Sequence, residues 1–153
     1  MTKTVKGILI AIVAFVLLAG IVVGVLVGFG LYGWRRAVRA GNEEAAVRNL
    51  QTITIIEKQY YNTHNRNFGT FDQLVTESML DERFRGDVPV VDGYVYTLRV
   101  TPASAGKAAS FMLNADPENP NTGDKHFYAD DTSGTIHINP NRRADANDPP
   151  YVL

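Results

Sequence analysis

Residues 7–34 contain no charged side chain, and this uncharged run constrains the fold more than any other feature of the sequence. At about 1.5 Å per residue, a helix of this length exceeds the roughly 30 Å hydrocarbon core of a bilayer. Tyr32 and Trp34 lie at its C-terminal end, as aromatic side chains at a membrane interface do, and Arg35 and Arg36 follow at once. The run is too long for the apolar region of a cleaved signal peptide. The sequence therefore predicts a retained transmembrane helix over residues 7–34.

The charges that flank this predicted helix do not decide its orientation. Lys3, Lys6 and the amino terminus precede it in the short segment of residues 1–6, and arginines follow it at positions 35, 36 and 39. The positive-inside rule is therefore nearly balanced, and the orientation has to come from the rest of the sequence.

Three glycines recur at intervals of four within the uncharged run, Gly20, Gly24 and Gly28. This spacing places them on one stripe of a helix, where another helix can approach closely. Glycine is common in membrane helices generally, but two consecutive GxxxG steps in register favour helix packing. Both a second copy of the chain and another membrane protein fit the pattern as partners.

An amphipathic helix is predicted over residues 43–62. Arg48, Glu57 and Lys58 lie largely away from one broad side of its helical wheel. That side carries Val47, Leu50, Ile53, Thr54, Tyr60 and Tyr61. This helix can continue from the membrane segment, or it can begin afresh after Gly41 with Asn42 as its N-cap.

A second helix and a small sheet are predicted to follow. Thr70-Phe-Asp-Gln73 has the form of a capping box, so a short helix begins there and ends before Gly86. Alternating apolar residues and turn signals then predict four strands, the last two of which form a hairpin. These strands cover residues 94–101, 109–114, 125–129 and 135–138.

These elements together predict an α+β fold, in which a transmembrane helix runs into an amphipathic helix packed on a small antiparallel sheet. The external domain covers residues 35–138, and its tyrosines and phenylalanines at helix and strand spacing are expected to form the core. Residues 139–153 have no apolar face and are predicted to form an extended polar tail.

The composition argues against most chemical functions. The chain has no Cys, which excludes disulfides, thiolate metal sites and cysteine nucleophiles. Its 15 basic and 16 acidic side chains argue against a nucleic-acid partner. No phosphate-binding loop, nucleophile elbow or HExxH motif occurs. We therefore expect no enzymatic activity, no cofactor and no small-molecule substrate.

Metal binding has only weak candidates. His126 and His137 lie on the two arms of the predicted hairpin and could face each other, but a metal site there would need a third ligand. Oxygen ligands are also concentrated in this region, although their spacing matches no EF-hand, and a solvated turn explains them better. The calcium candidates are Asp116, Asp124, Asp130 and Asp131.

Four segments of the chain resemble the type IV pilins and the pseudopilins of type II secretion: residues 42–50, 59–61, 68–74 and 127–134. The order of the predicted elements is also similar to that family. The resemblance implies a long N-terminal helix, half in the membrane and half packed on the sheet. It also implies the inner membrane of a bacterium, with the N-terminus in the cytoplasm and the domain in the periplasm or outside the cell. The implied partners are the lipid bilayer and other transmembrane helices.

The chain departs from that family near its N-terminus. Lys6-Gly7 followed by Ile8 matches the end of the family's leader, but Ile12 stands where the family has a Glu that neutralises a neighbour's amino terminus during filament assembly. The resemblance implies a structural or assembly component of a type IV pilus or secretion-type apparatus. The missing Glu favours an alternative, an accessory single-span subunit of a large membrane complex whose external face the domain caps.

Overall fold

The computed structural model describes the backbone of residues 3–152 and the side chains of residues 15–152, except those of residues 29 and 31. It divides into two compact units, Met1–Ala37 and Val38–Leu153. The first helix, α1, spans Lys3–Thr63 and so contributes to both units. The other elements lie in the second unit: α2 (Phe71–Thr76), a 3₁₀ turn (Glu82–Phe84), β1 (Val90–Val91), β2 (Tyr94–Thr101), β3 (Ser110–Pro117), β4 (His126–Asp130) and β5 (His137–Asn139).

The five strands form one antiparallel sheet in chain order, β1-β2-β3-β4-β5. The longest pairing joins β2 to β3, where Tyr94 lies opposite Pro117 and Thr101 lies opposite Ser110. β4 and β5 form the predicted hairpin, with Tyr128 opposite His137. The α+β class, with a long N-terminal helix and an antiparallel sheet, is therefore as predicted.

The sheet has five strands, one more than the sequence predicted, and the additional strand is β1. Val91 pairs with Tyr94, so Asp92 and Gly93 form a two-residue hairpin loop. Both have positive φ, 52° and 76°, as a type I′ turn requires. Asp-Gly flanked by apolar residues is a strong hairpin signal, and it was the feature from which β1 could have been predicted.

The core of the second unit contains side chains from α1 and from one face of the sheet. Along β2 and β3 the buried residues alternate with more exposed ones, as a strand with one buried face requires. From α1, Val47, Leu50, Ile53 and Tyr60 belong to the same core cluster, which confirms most of the predicted apolar side. Most of the aromatic residues expected in the core are buried or partly buried there: Tyr60, Tyr61, Tyr94, Tyr96 and Phe127. Tyr128 was also expected in the core, and it is buried but lies outside the core cluster.

Glu57 is the exception on α1. The helical wheel placed it largely away from the apolar side, yet its side chain is 0% exposed. Helix geometry explains this burial, because Glu57 lies four residues after Ile53 and three before Tyr60 and so shares the face of these buried residues. The segment after α1 folds back over this part of the helix, and the backbone N–H of Gly69 donates a hydrogen bond to Glu57 Oε2 at 2.9 Å.

The predicted capping box is present at the start of α2. Thr70 Oγ1 accepts from the backbone N–H of Gln73 at 3.3 Å, and Gln73 Oε1 accepts from the backbone N–H of Thr70 at 2.8 Å. α2 is short and buries Leu74 and Val75. The 3₁₀ turn then places Phe84 in the same core.

The residues after β5 pack back on the sheet, which the sequence did not predict. The backbone N–H of Tyr151 donates to the carbonyl of Ile136 at 2.7 Å. The Tyr151 ring meets Phe127 edge to face, with 5.7 Å between the ring centroids. Pro150 forms a bridge with His137 at the edge of β5. The segment is mostly polar, but single apolar residues and backbone hydrogen bonds are enough to attach it.

Candidate membrane-spanning and helix-packing surface

The apolar part of α1 has an exposed surface. Its described large side chains face solvent, with Leu26 67% and Trp34 73% exposed. Among the described residues, α1 is the one helix long and apolar enough to cross a membrane by length and composition, and its most apolar stretch is not buried in the structure. A continuous apolar surface of this size is unfavourable in water and normally marks contact with a membrane or another protein.

The three glycines of the predicted stripe have open space around them. A Cβ atom added at Gly20, Gly24 or Gly28 would meet no atom within 4 Å. Nothing in the described part of the chain therefore requires glycine at these positions. The stripe leaves the helix backbone accessible to a neighbouring molecule.

The residues predicted at the membrane interface lie at the end of this apolar part. Tyr32 and Trp34 have exposed rings, and Arg35 and Arg36 are exposed as well. The predicted orientation and the leader motif depend on Lys3, Lys6 and Ile12, whose side chains lie outside the described part of the structure.

Near the start of the second unit, three polar side chains of α1 form hydrogen bonds with the segment before β4. Arg39 Nη1 donates to both carboxylate oxygens of Asp124, at 2.9 and 2.8 Å. Asn42 Nδ2 donates to the carbonyl of Thr122 at 2.9 Å, and Glu43 Oε1 accepts from the backbone N–H of Asp124 at 3.1 Å. We call these contacts the α1 clamp. α1 continues through Gly41, so Asn42 is part of this clamp and not the cap of a new helix.

The four calcium candidates are separated and have protein partners. Asp124 belongs to the α1 clamp. Asp131 Oδ1 accepts from the backbone N–H of Phe111 at 3.1 Å, at the N-terminal end of β3. In the part of the chain that the structure describes, no three His, Asp or Glu side chains are grouped so that they could hold a metal ion.

The other two candidates lie at different places on the sheet. Asp116 is held between His126 Nδ1 at 2.7 Å and Arg143 Nε at 2.8 Å. Asp130 Oδ1 accepts from the backbone N–H and the hydroxyl of Thr132, at 3.0 and 2.7 Å. Burial acts to raise the pKa of Asp130, but the hydrogen bonds together outweigh it and hold this pKa below its ordinary value. Both carboxylates therefore have local structural partners.

The two hairpin histidines do not face each other. His126 lies opposite Asn139, whereas His137 lies opposite Tyr128. His137 Nδ1 is 2.6 Å from the carbonyl oxygen of Asp148, in the segment that packs back on the sheet. Each histidine thus contacts a different part of the second unit.

Comparison with known proteins identifies no relative: no protein-family model, no curated protein and no solved structure matches the chain. The pilin resemblance therefore rests on the residues and on the order of the elements.

Proposed function

We propose that this chain is a non-enzymatic, pilin-like single-pass membrane protein that serves as a structural or assembly component of a type IV pilus or secretion-type apparatus. The observation that supports this proposal best is the division of α1. Its N-terminal part is apolar and exposed, and its C-terminal part shares a core with an antiparallel sheet. The proposed location is the inner membrane of a bacterium, with the N-terminus in the cytoplasm and the second unit in the periplasm or outside the cell.

The bilayer is the proposed solvent for residues 7–34. Exposed Leu, Val and Ile side chains are stable in hydrocarbon, and a helix satisfies its own backbone hydrogen bonds there. Tyr32 and Trp34 then lie at the outer interface, with Arg35 and Arg36 among the lipid headgroups. This arrangement leaves the α1 clamp, which begins at Arg39, on the aqueous side.

A second transmembrane helix is the proposed partner of the glycine stripe. Small residues at intervals of four allow backbones to approach closely, and packing then supplies the attraction that lipid does not. The open space at Gly20, Gly24 and Gly28 supports this proposal.

The alternative is an accessory single-span subunit of a large membrane complex, with the second unit capping its external face. Cleavage after Gly7 would expose Ile8 as a new amino terminus, and polymerisation would bury that positive charge among apolar helices. A buried charge without a partner is strongly unfavourable, and Ile12 cannot supply the carboxylate that the family uses. We therefore expect most of the protein to stay uncleaved and to form no filaments by itself.

Intact-mass analysis of the chain, produced in cells that contain a prepilin peptidase, tests this expectation. The wild-type mass should include residues 1–7, and sheared surface fractions should contain no filaments of this protein. Ile12→Glu is the matched control, because it restores the family's carboxylate and should increase incorporation into filaments of a host pilin.

Two outcomes would contradict the proposals separately. Wild-type chains that begin at Ile8 and are recovered in sheared filaments would remove the accessory-subunit alternative and support an ordinary pilin. Full-length chain recovered as a soluble protein without detergent would contradict the membrane proposal itself.

A further inference from the structure

Glu57 is a buried carboxyl group with one oxygen unsatisfied. Its Oε2 accepts the hydrogen bond from the backbone N–H of Gly69, whereas its Oε1 has no hydrogen-bond partner among the described residues. Thr54, one turn earlier on α1, also has a buried hydroxyl oxygen without a partner. An unsatisfied buried polar atom costs free energy, and an ionised one costs much more.

The hydrogen bond from Gly69 joins two elements where they pack tightly. Gly69 lies between α1 and α2, directly before the N-cap residue of α2. A Cβ atom added at Gly69 would lie 2.8 Å from Leu74 Cδ2 and 3.3 Å from Tyr60 Cδ1. The segment of residues 64–70 is therefore pressed against α1 at the point where Glu57 binds it.

The ionisable groups nearest to Glu57 along the chain do not neutralise it. On α1, Lys58 is exposed, and Tyr60 has its ring stacked on His64 with 3.7 Å between the ring centroids. His64 Nε2 in turn lies 3.0 Å from Glu77 Oε1, so the imidazole is directed to the end of α2. His64 is thus paired with Glu77 and not with Glu57.

The remaining groups come from the segment, α2 and the sheet. Arg66 is exposed, and Asp72 of α2 accepts from the backbone N–H of Gly86 at 2.8 Å. The tyrosine hydroxyls of the sheet bind elsewhere: that of Tyr96 accepts from Asn49, eight residues before Glu57 on α1, and that of Tyr94 donates to the carbonyl of Lys125. In the part of the chain that the structure describes, no basic group is paired with Glu57.

We propose that Glu57 is a pH-sensitive latch. As a neutral acid, Glu57 holds residues 64–70 and α2 against α1. Its ionisation favours an open form, in which this segment moves away from α1 and the carboxylate is hydrated. The neutral acid tolerates burial far better than the carboxylate does. The buried carboxylate loses its hydration and gains only the hydrogen bond from Gly69. This single bond does not offset the free-energy cost of desolvation, because no basic group among the described residues is paired with Glu57.

The direction of this pH dependence follows from burial. Burial raises the pKa of Glu57 to about 7, and the hydrogen bond from Gly69 lowers this pKa only in part. In the open form the pKa returns toward the ordinary value of 4.5. The closed form therefore binds the proton more tightly. Its stabilisation is complete below pH of about 4.5 and is lost as the pH rises through about 7.

Amide hydrogen exchange of the full chain in detergent micelles tests the latch. Between pH of about 5.5 and about 8.5, after correction for intrinsic exchange, the opening constant of the amides of residues 69–77 should rise about thirtyfold. In Glu57→Gln, which cannot ionise, the same constant should stay nearly unchanged. Glu77→Gln is the matched control, because it removes the partner of His64 and leaves Glu57 in place, and it should keep the wild-type pH dependence.

Three results would overturn the latch. One is a Glu57→Gln variant with the wild-type pH dependence. Another is a rise of the same size in the β2–β3 amides, since global unfolding would then account for the whole effect. The third is a carbon-13 titration of the wild-type Glu57 carboxyl with a midpoint below pH of about 5, and this measurement decides the matter even if Glu57→Gln fails to fold.

Discussion

Gly93 occupies a turn position where both the backbone conformation and the available space favour glycine. Its φ is 76°, and an added Cβ atom would lie 2.7 Å from Asn42 Nδ2 and 2.9 Å from Thr122 Cβ. Gly93→Ala should therefore pay for backbone strain and also disturb the hydrogen bond between Asn42 and Thr122. We expect a loss of about 2–3 kcal/mol in the free energy of unfolding, measured by chemical denaturation in micelles.

Gly106→Ala separates the two contributions to that loss. Gly106 has a similar φ of 81°, but an added Cβ atom meets nothing within 4 Å. This variant should lose only about 1 kcal/mol, which is the cost of the left-handed backbone alone. Equal losses in the two variants would show that the turn does not press on the α1 clamp.

At the scale of elements, α2 depends on its cap, because it has only six residues. Thr70→Ala removes the oxygen that accepts from the backbone N–H of Gln73 and should cost about 1 kcal/mol, whereas Thr70→Ser should keep most of the stability. Thr76→Ala, at the exposed end of the same helix, is the control and should change stability by less than about 0.5 kcal/mol. A Thr76→Ala loss as large as that of Thr70→Ala would contradict the role of the cap. Thermal unfolding followed by circular dichroism measures all three variants.

The elements that the sequence predicted are those whose signals are local and periodic. The 3.6-residue pattern located the buried side of α1, alternation located β2, and the Thr70 motif located α2. β1 has only two residues, too few for alternation to be visible, and only its Asp-Gly turn indicated it. The C-terminal segment is attached by single residues such as Tyr151, which form no pattern.

Glu57 was misplaced because it was assigned by its charge and not by its angle: it lies four residues after Ile53 and three before Tyr60, on the apolar side of the helix. Its hydrogen bond from Gly69 depends on residues 64–70 folding back, which is a tertiary effect that the sequence pattern does not show. The glycine stripe and the aromatic residues at positions 32 and 34 were identifiable in the sequence. What lies against them depends on another molecule, so a pattern within one chain cannot specify it.

At the scale of the whole molecule, the second unit contains all the parts of its own core. The described core cluster begins at Ala46, and the α1 clamp adds Arg39, Asn42 and Glu43. Residues before position 38 belong to the other compact unit. A fragment that starts at residue 35 therefore keeps every described contact that stabilises the sheet, and it lacks the exposed apolar side chains of residues 15–34.

We expect this fragment, residues 35–153, to fold as a soluble monomer with mixed helix and sheet in its circular dichroism spectrum. A fragment that starts at residue 44 is the matched control, since it keeps the core but lacks the α1 clamp. It should give a similar spectrum with a melting temperature lower by about 4 °C for each kcal/mol that the clamp contributes. Equal melting temperatures would mean that the clamp contributes nothing to stability. A spectrum of mainly disordered chain from the longer fragment would contradict the assignment of an independent domain, because its core would then need the apolar part of α1 or a partner to form.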